Sequence, residues 1–266
     1  MYPHGPKRSY MDFSDKMVLI TGASSGIGTE FAKAFSAKGC KLILVARRSE
    51  RLHALAQELG TPCEVLPADL SREEEVNRIA EIAGDQKVDV LINCAGFGLL
   101  GAETELDLSD ELRMIDLNVR AVHILTKKFL PRLVERNSGA ILNVASSAGL
   151  LPAGPYLNTY YATKAYVASF TQGLSAELKD QGKAVYVGAL CPGPVYTEFT
   201  EVAGGSQWDK GITAAECVAY AMKKMEKGKV VIVPKASIRA GLFFSRFLPR
   251  KTVAKFLAKF QKKKTQ

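Results

Sequence analysis

Residues 17–28 of the chain read MVLITGASSGIG, and the architecture can be built outward from them. The first five residues form a short, almost wholly apolar run, which is typical of a buried β-strand. Gly22, Gly26 and Gly28 follow, and a helical pattern then continues to about Lys38. Glycine lets the chain turn tightly and approach a ligand closely, while the start of a helix attracts negative charge. The stretch therefore predicts a strand–turn–helix unit that binds phosphate groups.

The spacing of these glycines, G-x3-G-x-G, indicates which kind of phosphate ligand to expect. A nucleoside-triphosphate loop ends in Gly-Lys-Ser or Gly-Lys-Thr, and this turn has neither. A glycine turn between a first strand and a helix is typical of domains that hold the pyrophosphate of a dinucleotide. We expect the following residues to bind it: Gly22, Ser24, Ser25, Gly26, Ile27 and Gly28.

The rest of the chain alternates between short apolar runs and helical patterns. The predicted strands are 17–21, 41–46, 63–68, 88–94, 140–145, 184–190 and 230–233, and the clearest helical patterns are 49–59, 72–83, 109–136 and 159–179. Strands without polar alternation are typical of parallel sheets buried on both faces. The pattern predicts an α/β fold: a single doubly wound, Rossmann-type domain with a mainly parallel seven-stranded sheet and helices on both faces.

Composition divides the chain into three predicted parts. Residues 1–15 show no periodicity and are expected to be a loose leader, 16–235 the dinucleotide-binding domain, and 236–266 a basic amphipathic helical tail. The 266-residue chain has a net charge of +9, but residues 227–266 hold 12 basic and no acidic residues, so residues 1–226 carry −3. Because the positive charge belongs to a tail without a nucleic-acid-reading motif, we expect no nucleic-acid partner.

Cysteine and histidine usage excludes two classes of protein. The five cysteines and three histidines are widely spaced, so we expect neither a disulfide scaffold nor a metal site.

The first residues lack the apolar segment of a signal peptide, and no apolar run approaches the roughly 18 residues of a membrane span. The expected location is the cytoplasm, either free or peripheral at the inner face of the membrane.

The turn after the second predicted strand indicates which dinucleotide binds. Domains that prefer NAD carry an acid there, about 20 residues beyond the glycine turn, which holds the ribose hydroxyls. This chain has Arg47 and Arg48 instead, and the first acid of the turn is Glu50. A guanidinium binds a 2′-phosphate through two hydrogen bonds, whereas a carboxylate repels it. We therefore expect NADP(H), with two solvated charges at the start of a helix as the alternative.

Four further motifs follow in order on the predicted elements. They are Asn93-Cys94-Ala95-Gly96, Leu117-Asn118-Val119, Ser146-Ser147 and Tyr160-Tyr161-Ala162-Thr163-Lys164. Together with the glycine turn, they make residues 16–233 resemble the short-chain dehydrogenase/reductase family. The chain departs from the family's usual pattern at Cys94, where a second Asn is common. The resemblance implies a nicotinamide-dependent oxidoreductase.

The chemistry expected of Tyr160 and Lys164 follows from their spacing. Four residues apart on a helix, they share one face. The ordinary pKa of a phenol is about 10, and a nearby ammonium lowers it because the charge favours the phenolate. We expect Tyr160 to be the general acid/base at the carbonyl oxygen, with Lys164 lowering its pKa. The resemblance selects Tyr160 over Tyr161 and implies that Lys164 also holds the nicotinamide ribose.

Two adjacent serines compete for the role of hydrogen-bond donor to the reacting oxygen. In the family that this chain resembles, the commoner separation from the tyrosine implies Ser147, whereas the flanking pattern Asn-Val-x-Ser-x-x-Gly implies Ser146. We choose Ser146, because the loop 150–158 looks one residue longer than is usual. The resemblance further implies that Asn118 positions a water that links Lys164 to solvent.

The resemblance also supplies further cofactor contacts. Asp69 would meet the adenine amino group, and the segment 192–197 would meet the nicotinamide carboxamide through the Thr197 hydroxyl and the Val195 backbone. The contacts implied in this way are Asp69, Leu70, Asn93, Ala95, Gly96, Tyr160, Lys164, Pro192, Gly193, Val195 and Thr197.

Residues 198–211 bear on the substrate, and the predicted long helices bear on partner subunits. The pair Gly204-Gly205 permits motion, and Phe199 and Trp208 suit an apolar substrate, so we expect a substrate lid. In the family that this chain resembles, helices such as 109–136 and 159–179 form the usual dimer face. We therefore expect a homodimer or a tetramer.

The tail, from residue 237 onward, carries an apolar stripe at helical spacing. Val253, Phe256, Leu257 and Phe260 form this stripe, and lysines lie off it. Such a helix can lie in an anionic membrane interface, or it can pack on the protein's own body or its dimer mate, and the sequence leaves both open.

The sequence as a whole predicts an NADP(H)-dependent oxidoreductase. It would interconvert a ketone or aldehyde and the matching alcohol by hydride transfer, on an apolar or lipid-like small-molecule substrate. The alternatives are a dinucleotide-binding regulatory protein that has lost activity and a membrane-tethering module.

Overall fold

The computed structural model describes residues 11–204 and 211–262. Within them the main sheet consists of β1 (Met17–Thr21), β2 (Lys41–Ala46), β3 (Cys63–Pro67), β4 (Val90–Asn93), β5 (Ala140–Val144), β6 (Tyr186–Leu190) and β9 (Val231–Ile232). The order across this seven-stranded sheet is β3-β2-β1-β4-β5-β6-β9, and neighbouring strands are parallel. Two short strands, β7 (Val195–Tyr196) and β8 (Ile212–Thr213), pair with each other. The predicted doubly wound α/β fold is confirmed.

Helices connect these strands. In the described residues they are α1 (Gly26–Ser36), α2 (Ser49–Glu58), α3 (Glu73–Gly84), α4 (Leu108–Ile115), α5 (Val122–Glu135), α6 (Asn158–Asp180), α7 (Phe199–Val202), α8 (Ala214–Glu226), α9 (Ala236–Ser245) and α10 (Arg250–Lys262). None of the helices in the described ranges is both long and apolar enough to cross a bilayer.

Burial on both faces explains why the strands lack polar alternation. On β1, Val18 and Ile20 join the core cluster that contains Phe31 of α1, whereas Leu19 joins a second cluster with Ile79 of α3. Successive side chains of a strand point to opposite faces, so each face of β1 needs apolar residues. The central strands therefore read as unbroken runs of Val, Ile and Leu.

Residues 11–15, which the sequence places in the loose leader, lie against the body of the domain. Phe13 is 1% exposed and packs edge-on against Phe35, with the ring centroids 5.8 Å apart. The backbone N–H of Met11 donates to the carbonyl of Glu226 at 3.1 Å. A buried aromatic side chain anchors this segment even though its sequence has no periodicity. The preceding residues, 1–10, are outside the described ranges.

The strand order places a crevice at the carboxyl ends of β1 and β4. From β1 the chain proceeds through β2 and β3 to one edge, and from β4 it proceeds to the other. Ligands bind in the crevice that such a reversal opens. The glycine turn after β1 and the loops after β4 and β5 all emerge at this edge of the sheet.

Candidate active site

A cavity of about 470 Å³ occupies this crevice. It brings together most of the residues predicted from the sequence: Gly22, Ser24, Ser25, Gly26, Ile27, Arg47, Arg48, Asp69, Leu70, Ala95, Gly96, Ser146, Tyr160, Lys164, Pro192, Gly193, Val195 and Thr197. Gly28, Asn93 and Asn118 do not line the cavity and lie behind residues that do. Residues separated by as much as 175 positions in sequence therefore line the same cavity.

The glycine turn has the close backbone contacts that the sequence predicts. Gly22 has a φ of +69°, which favours glycine, and a Cβ there would lie 2.9 Å from the backbone of Ala95. A Cβ on Gly28 would lie 2.2 Å from the carbonyl oxygen of Gly22. Both positions therefore require glycine, Gly22 beside the cavity and Gly28 to pack the helix against the turn.

The start of α1 fits a phosphate group. Its N-cap residue, Ser25, makes no side-chain hydrogen bond to the helix, and the first turn contains no acidic residue. The first N–H groups of a helix lack partners within the helix and attract anions. This end of α1 would hold the pyrophosphate of a dinucleotide.

The end of the cavity beside β2 carries a cluster of ionic groups. The guanidinium of Arg48 donates to the hydroxyl of Ser24 at 3.2 Å and to the Glu198 carboxylate at 2.7 Å. Arg51 reaches the other oxygen of the same carboxylate at 2.5 Å. The hydrogen bonds from Arg51 and Arg48 lower the pKa of Glu198. Sequence reasoning missed Arg51 and Glu198, because 147 residues separate them and neither belongs to a motif.

Asp69 also lines the cavity, two residues after the end of β3. Its Oδ1 accepts hydrogen bonds from the backbone N–H of Ser71 at 3.1 Å and from the Ser71 hydroxyl at 2.8 Å. This local turn fixes the direction of the carboxylate.

Tyr160 and Lys164 lie together on the buried face of α6. The Lys164 Nζ donates to the carbonyl of Val144 at 2.9 Å and lies 5.9 Å from the centroid of the Tyr160 ring. Burial raises the pKa of Tyr160 to about 12, and it lowers the pKa of Lys164 to about 8. Removal from water disfavours the charged form of each group, so burial sets the direction of both shifts, and the expected lowering of the tyrosine pKa by the Lys164 ammonium does not appear.

Ser146 is the serine whose hydroxyl contacts Tyr160. A hydrogen bond with Ser146 lowers the pKa of Tyr160, in opposition to the larger effect of burial. The Ser146 Oγ also accepts from the N–H of Ala148 at 3.1 Å, and Ser146 is 9% exposed. Ser147 lines the cavity too, at the first position of a short 3₁₀ turn.

Asn118 lies within the long helical stretch that the sequence predicts over 109–136. A π-helical turn spans Asp116–Ala121, between α4 and α5. The Asn118 amide accepts from the N–H of Phe97 at 3.1 Å, donates to the Phe97 carbonyl at 2.9 Å and donates to the Thr163 hydroxyl at 3.1 Å. These bonds fix the loop after β4 against α6, and π-helical turns are frequent at functional sites. The predicted helical stretch is thus present from Leu108 to Glu135, and its π-helical turn is a detail that the apolar spacing did not indicate.

Asn93 is buried within the sheet behind the cavity. Its Nδ2 donates to the Oδ1 of Asn143 at 2.8 Å and to the Thr126 hydroxyl at 3.3 Å. The cavity-facing backbone of the next residues is held differently: the Thr21 hydroxyl accepts from the N–H groups of Cys94 and Ala95 at 3.0 and 3.1 Å. Thr21 had not been singled out from the sequence.

Apolar and aromatic side chains form the wall of the cavity beyond Tyr160. They are Phe97, Leu151, Leu157, Tyr161, Phe199, Val202, Leu257 and Phe260. α10 contributes the last two, and Gln261 of the same helix donates to the Tyr161 hydroxyl at 3.2 Å. Val253 and Leu257 are buried in a cluster with Met114, Tyr160 and Tyr161. The tail was expected to be helical, but its sequence does not indicate that it lines the cavity.

The predicted lid over 198–211 is described in part. Phe199 lies beside Tyr160, with the ring centroids 5.4 Å apart, and Val202 follows it on the short helix α7. Gly204 has a φ of +78°. Gly205 and Trp208 fall outside the described residues.

The topological switch point brings together a glycine turn, a buried tyrosine and lysine, and a serine in contact with the phenol. This combination defines an oxidoreductase that uses a nicotinamide dinucleotide. The chain belongs to the short-chain dehydrogenase family, whose model matches residues 16–207. The resemblance found in the motifs is thereby confirmed.

Comparison with known proteins agrees with this assignment. Serine 3-dehydrogenase of Rhizobium radiobacter is 39% identical over 196 residues, which are 71% of this chain and 76% of that protein. A short-chain dehydrogenase from Sphingobium yanoikuyae in complex with NADPH has a TM-score of 0.78 and 34% identity, with 87% of this chain and 94% of that chain covered. A short-chain dehydrogenase/reductase from Burkholderia phymatum in complex with NAD has a TM-score of 0.80 and 26% identity, with coverage of 87% and 93%.

Proposed function

We propose that this protein is an NADP(H)-dependent oxidoreductase that interconverts a ketone or aldehyde and the matching alcohol, on an apolar or lipid-like substrate. The observation that carries the proposal is the convergence of Tyr160, Ser146 and Lys164 on one cavity whose outer wall is apolar. The phenol, the hydroxyl and the ammonium are the groups that a carbonyl oxygen needs when it gains a hydride.

The proposed mechanism assigns one task to each side chain. A bound nicotinamide dinucleotide supplies or accepts the hydride. In the reducing direction Tyr160 gives its phenolic proton to the carbonyl oxygen, and its pKa of about 12 means that it carries this proton at neutral pH. Ser146 donates a second hydrogen bond to the same oxygen, and the Lys164 ammonium favours the phenolate that remains. In the oxidising direction the phenolate form of Tyr160, which the Lys164 ammonium would favour, accepts the hydroxyl proton of the alcohol.

Residues of this chain would hold the dinucleotide along the length of the crevice. The glycine turn would bind the pyrophosphate, Lys164 the nicotinamide ribose, and the segment 192–197 the carboxamide. Asn118, which is buried and bonded to Phe97 and Thr163, would contribute to a proton relay from Lys164 to solvent.

The preference for NADP(H) over NAD(H) rests on Arg47 and Arg48. Both line the cavity at the end of β2, where an NAD-preferring domain carries an acid. The relative from Sphingobium yanoikuyae, solved with NADPH, supports the same choice, while the structure with NAD from Burkholderia phymatum shows that related chains take either dinucleotide.

The proposed partners are a small carbonyl or alcohol molecule and further copies of this chain. Family members commonly oligomerise. Exposed apolar side chains on α4 and α6, including Leu108, Leu112 and Tyr166, support a homodimer or tetramer formed through these helices. The five cysteines are free thiols, which supports a cytoplasmic location, because disulfides form readily in oxidising compartments.

A carbonyl panel with NADPH tests the proposed function. We expect oxidation of NADPH with apolar ketones or aldehydes, loss of roughly a thousandfold or more in kcat for Tyr160→Phe, and a loss of about a hundredfold for Ser146→Ala but not for Ser147→Ala. Binding of NADPH should survive in all three variants. Tight binding of NADPH without turnover of any carbonyl would contradict the proposal and favour a regulatory protein.

A further inference from the structure

The two C-terminal helices each have an inner face that packs on the catalytic domain. Ile238 and Leu242 of α9 pack against a core cluster that includes Cys191 and Val233. Val253 and Leu257 of α10 are buried beside Tyr160. Both helices are therefore fixed to the body, with Ile238 and Leu257 among the residues that line the cavity.

The outer side of these helices carries a set of large apolar residues in contact with solvent, which we term the aromatic surface. Its members and their exposures are Phe243 (53%), Phe244 (65%), Phe247 (73%), Leu248 (51%) and Phe256 (71%). The Phe243 ring lies 5.5 Å from that of Phe244 and 5.4 Å from that of Phe247, as measured between centroids. Clustered exposed aromatic residues of this kind mark interaction sites, whereas scattered ones do not.

The two helices and the turn between them carry only positive charge. Five exposed basic residues share α10 and the turn before it: Arg246, Arg250, Lys251, Lys255 and Lys259. No carboxylate in the described residues forms an ion pair with any of them. The last acidic residue of the chain is Glu226, before both helices begin. The occupant of this surface must therefore be apolar and anionic at once.

We propose that α9 and α10 form a membrane-docking surface for anionic lipid bilayers. Aromatic side chains partition into the boundary between headgroups and acyl chains, and neighbouring lysines and arginines are attracted to anionic headgroups. A second copy of the chain is a poorer match. A two-fold symmetric contact places each patch against its own copy, and this would bring basic residues against basic residues.

Docking would place the catalytic cavity beside the bilayer. The helices that carry the aromatic surface on one side supply Ile238 and Leu257 to the cavity wall on the other. The surface and the cavity therefore share the same two helices, although vesicle binding itself requires neither cofactor nor turnover.

Co-sedimentation of the full-length protein with lipid vesicles tests the docking surface. We expect binding to vesicles of equal parts phosphatidylcholine and phosphatidylglycerol, and at least about tenfold weaker binding to pure phosphatidylcholine vesicles. Raising the salt concentration should weaken the binding, since it screens exposed charges.

Two sets of variants separate the apolar from the ionic contribution. The triple change Phe243→Ser, Phe244→Ser and Phe247→Ser should weaken binding to anionic vesicles by about tenfold or more, and Arg250→Gln with Lys251→Gln and Lys255→Gln should do the same. The matched control for the ionic set is Lys41→Gln with Lys87→Gln and Lys183→Gln, three exposed lysines at or just before the amino ends of β2, β4 and β6, on the sheet edge opposite the cavity. This control should leave vesicle binding unchanged, and the affinity for NADPH should be unchanged in every variant if each remains folded.

Three outcomes would overturn the proposal. They are equal binding to neutral and anionic vesicles, full binding by the triple phenylalanine variant, and an effect of the lysine control as large as that of the Arg250, Lys251 and Lys255 variant. Self-association that the triple variant abolishes, without vesicle binding by the unchanged protein, would instead assign the aromatic surface to a contact between copies. Light scattering measures that self-association.

Discussion

Lys164 has to carry its charge in a place that disfavours charge. The side chain is 4% exposed, and the carbonyl of Val144 accepts a hydrogen bond from its ammonium. Burial lowers the pKa of Lys164 to about 8, from 10.5 in an exposed lysine. The proposed chemistry needs the ammonium, so its desolvation is a cost in stability that the active site imposes on the fold.

We expect Lys164→Met to abolish turnover and to stabilise the protein without cofactor. At pH 7 the variant removes a buried charge, which should raise the free energy of unfolding by about 1–3 kcal/mol and Tm by a few degrees. Because the folded protein holds this proton less tightly than the unfolded chain does, the cost of Lys164 is complete below pH 8 and disappears as pH rises towards 10.5. Thermal unfolding at pH 7 and pH 10 measures the difference, and an equal gain at both values would contradict the expectation.

Glu198 occupies the arginine cluster in which the 2′-phosphate of NADP(H) is proposed to bind. Its carboxylate lies 2.7 Å from Arg48 and 2.5 Å from Arg51, and all three side chains are well exposed. Exposed ion pairs contribute little to stability, so a more highly charged phosphate can displace this carboxylate. Glu198 is then a competitor of the 2′-phosphate.

Glu198→Gln should therefore tighten NADPH binding. Removal of one negative charge beside the proposed phosphate site is expected to lower the Kd for NADPH by about three- to tenfold and to leave the Kd for NADH unchanged. Fluorescence titration with both dinucleotides provides the comparison. A change of equal size for NADPH and NADH would contradict the assignment of this cluster to the 2′-phosphate.

The site residues predicted from the sequence differ from the missed ones in one respect. The position of a predicted residue follows from its neighbours in sequence, whereas that of a missed residue depends on the folded chain. Arg47 and Arg48 follow a strand directly, so their place at its carboxyl end can be predicted from the neighbouring letters. Glu198 reaches the same cluster from the far side of the cavity, and only the folded chain brings it there. Gln261, which bonds to Tyr161, was missed for the same reason.

At the scale of elements, α10 shows what helical periodicity can and cannot indicate. The stripe of Val253, Phe256, Leu257 and Phe260 was predicted as one apolar face. In the structure Val253 and Leu257 are buried, whereas Phe256 is 71% exposed. Helical spacing identifies which residues lie on the apolar side of a helix. Tertiary packing determines which of those residues are buried. The buried strands were predictable because parallel sheets bury both faces at once.

Leu257→Ala tests how far α10 supports the cavity wall, with Phe256→Ala as a matched control on the neighbouring face of the same helix. The buried leucine packs near Tyr160, so its truncation should lower the free energy of unfolding by about 2–3 kcal/mol and raise KM for an apolar ketone. The exposed phenylalanine should change the stability by less than about 0.5 kcal/mol. Thermal unfolding and steady-state kinetics without vesicles measure both effects. Equal losses in the two variants would contradict the assignment of the inner face.

At the scale of the whole molecule, the chain has two parts that differ in net charge and in exposed apolar surface. Residues 1–226 carry a net charge of −3 and contain the proposed dinucleotide site, where positive charge is confined to a few side chains such as Arg48 and Lys164. Residues 227–266 carry all the excess positive charge and the aromatic surface. The net charge of +9 therefore belongs to the part of the chain for which docking is proposed and says little about what the cavity binds.

If docking places the cavity beside a bilayer, membranes should affect catalysis selectively. Anionic vesicles should raise kcat/KM for a long-chain ketone that partitions into lipid by about tenfold, because bound enzyme and dissolved substrate share the same surface. The rate with a small water-soluble ketone should not change, since its concentration at the cavity is the same with or without vesicles. The triple variant Phe243→Ser, Phe244→Ser and Phe247→Ser should lose the vesicle effect and keep the rate with the soluble ketone. NADPH oxidation measures all four rates, and equal acceleration of both ketones, or acceleration that persists in the variant, would show that membrane docking does not deliver the substrate.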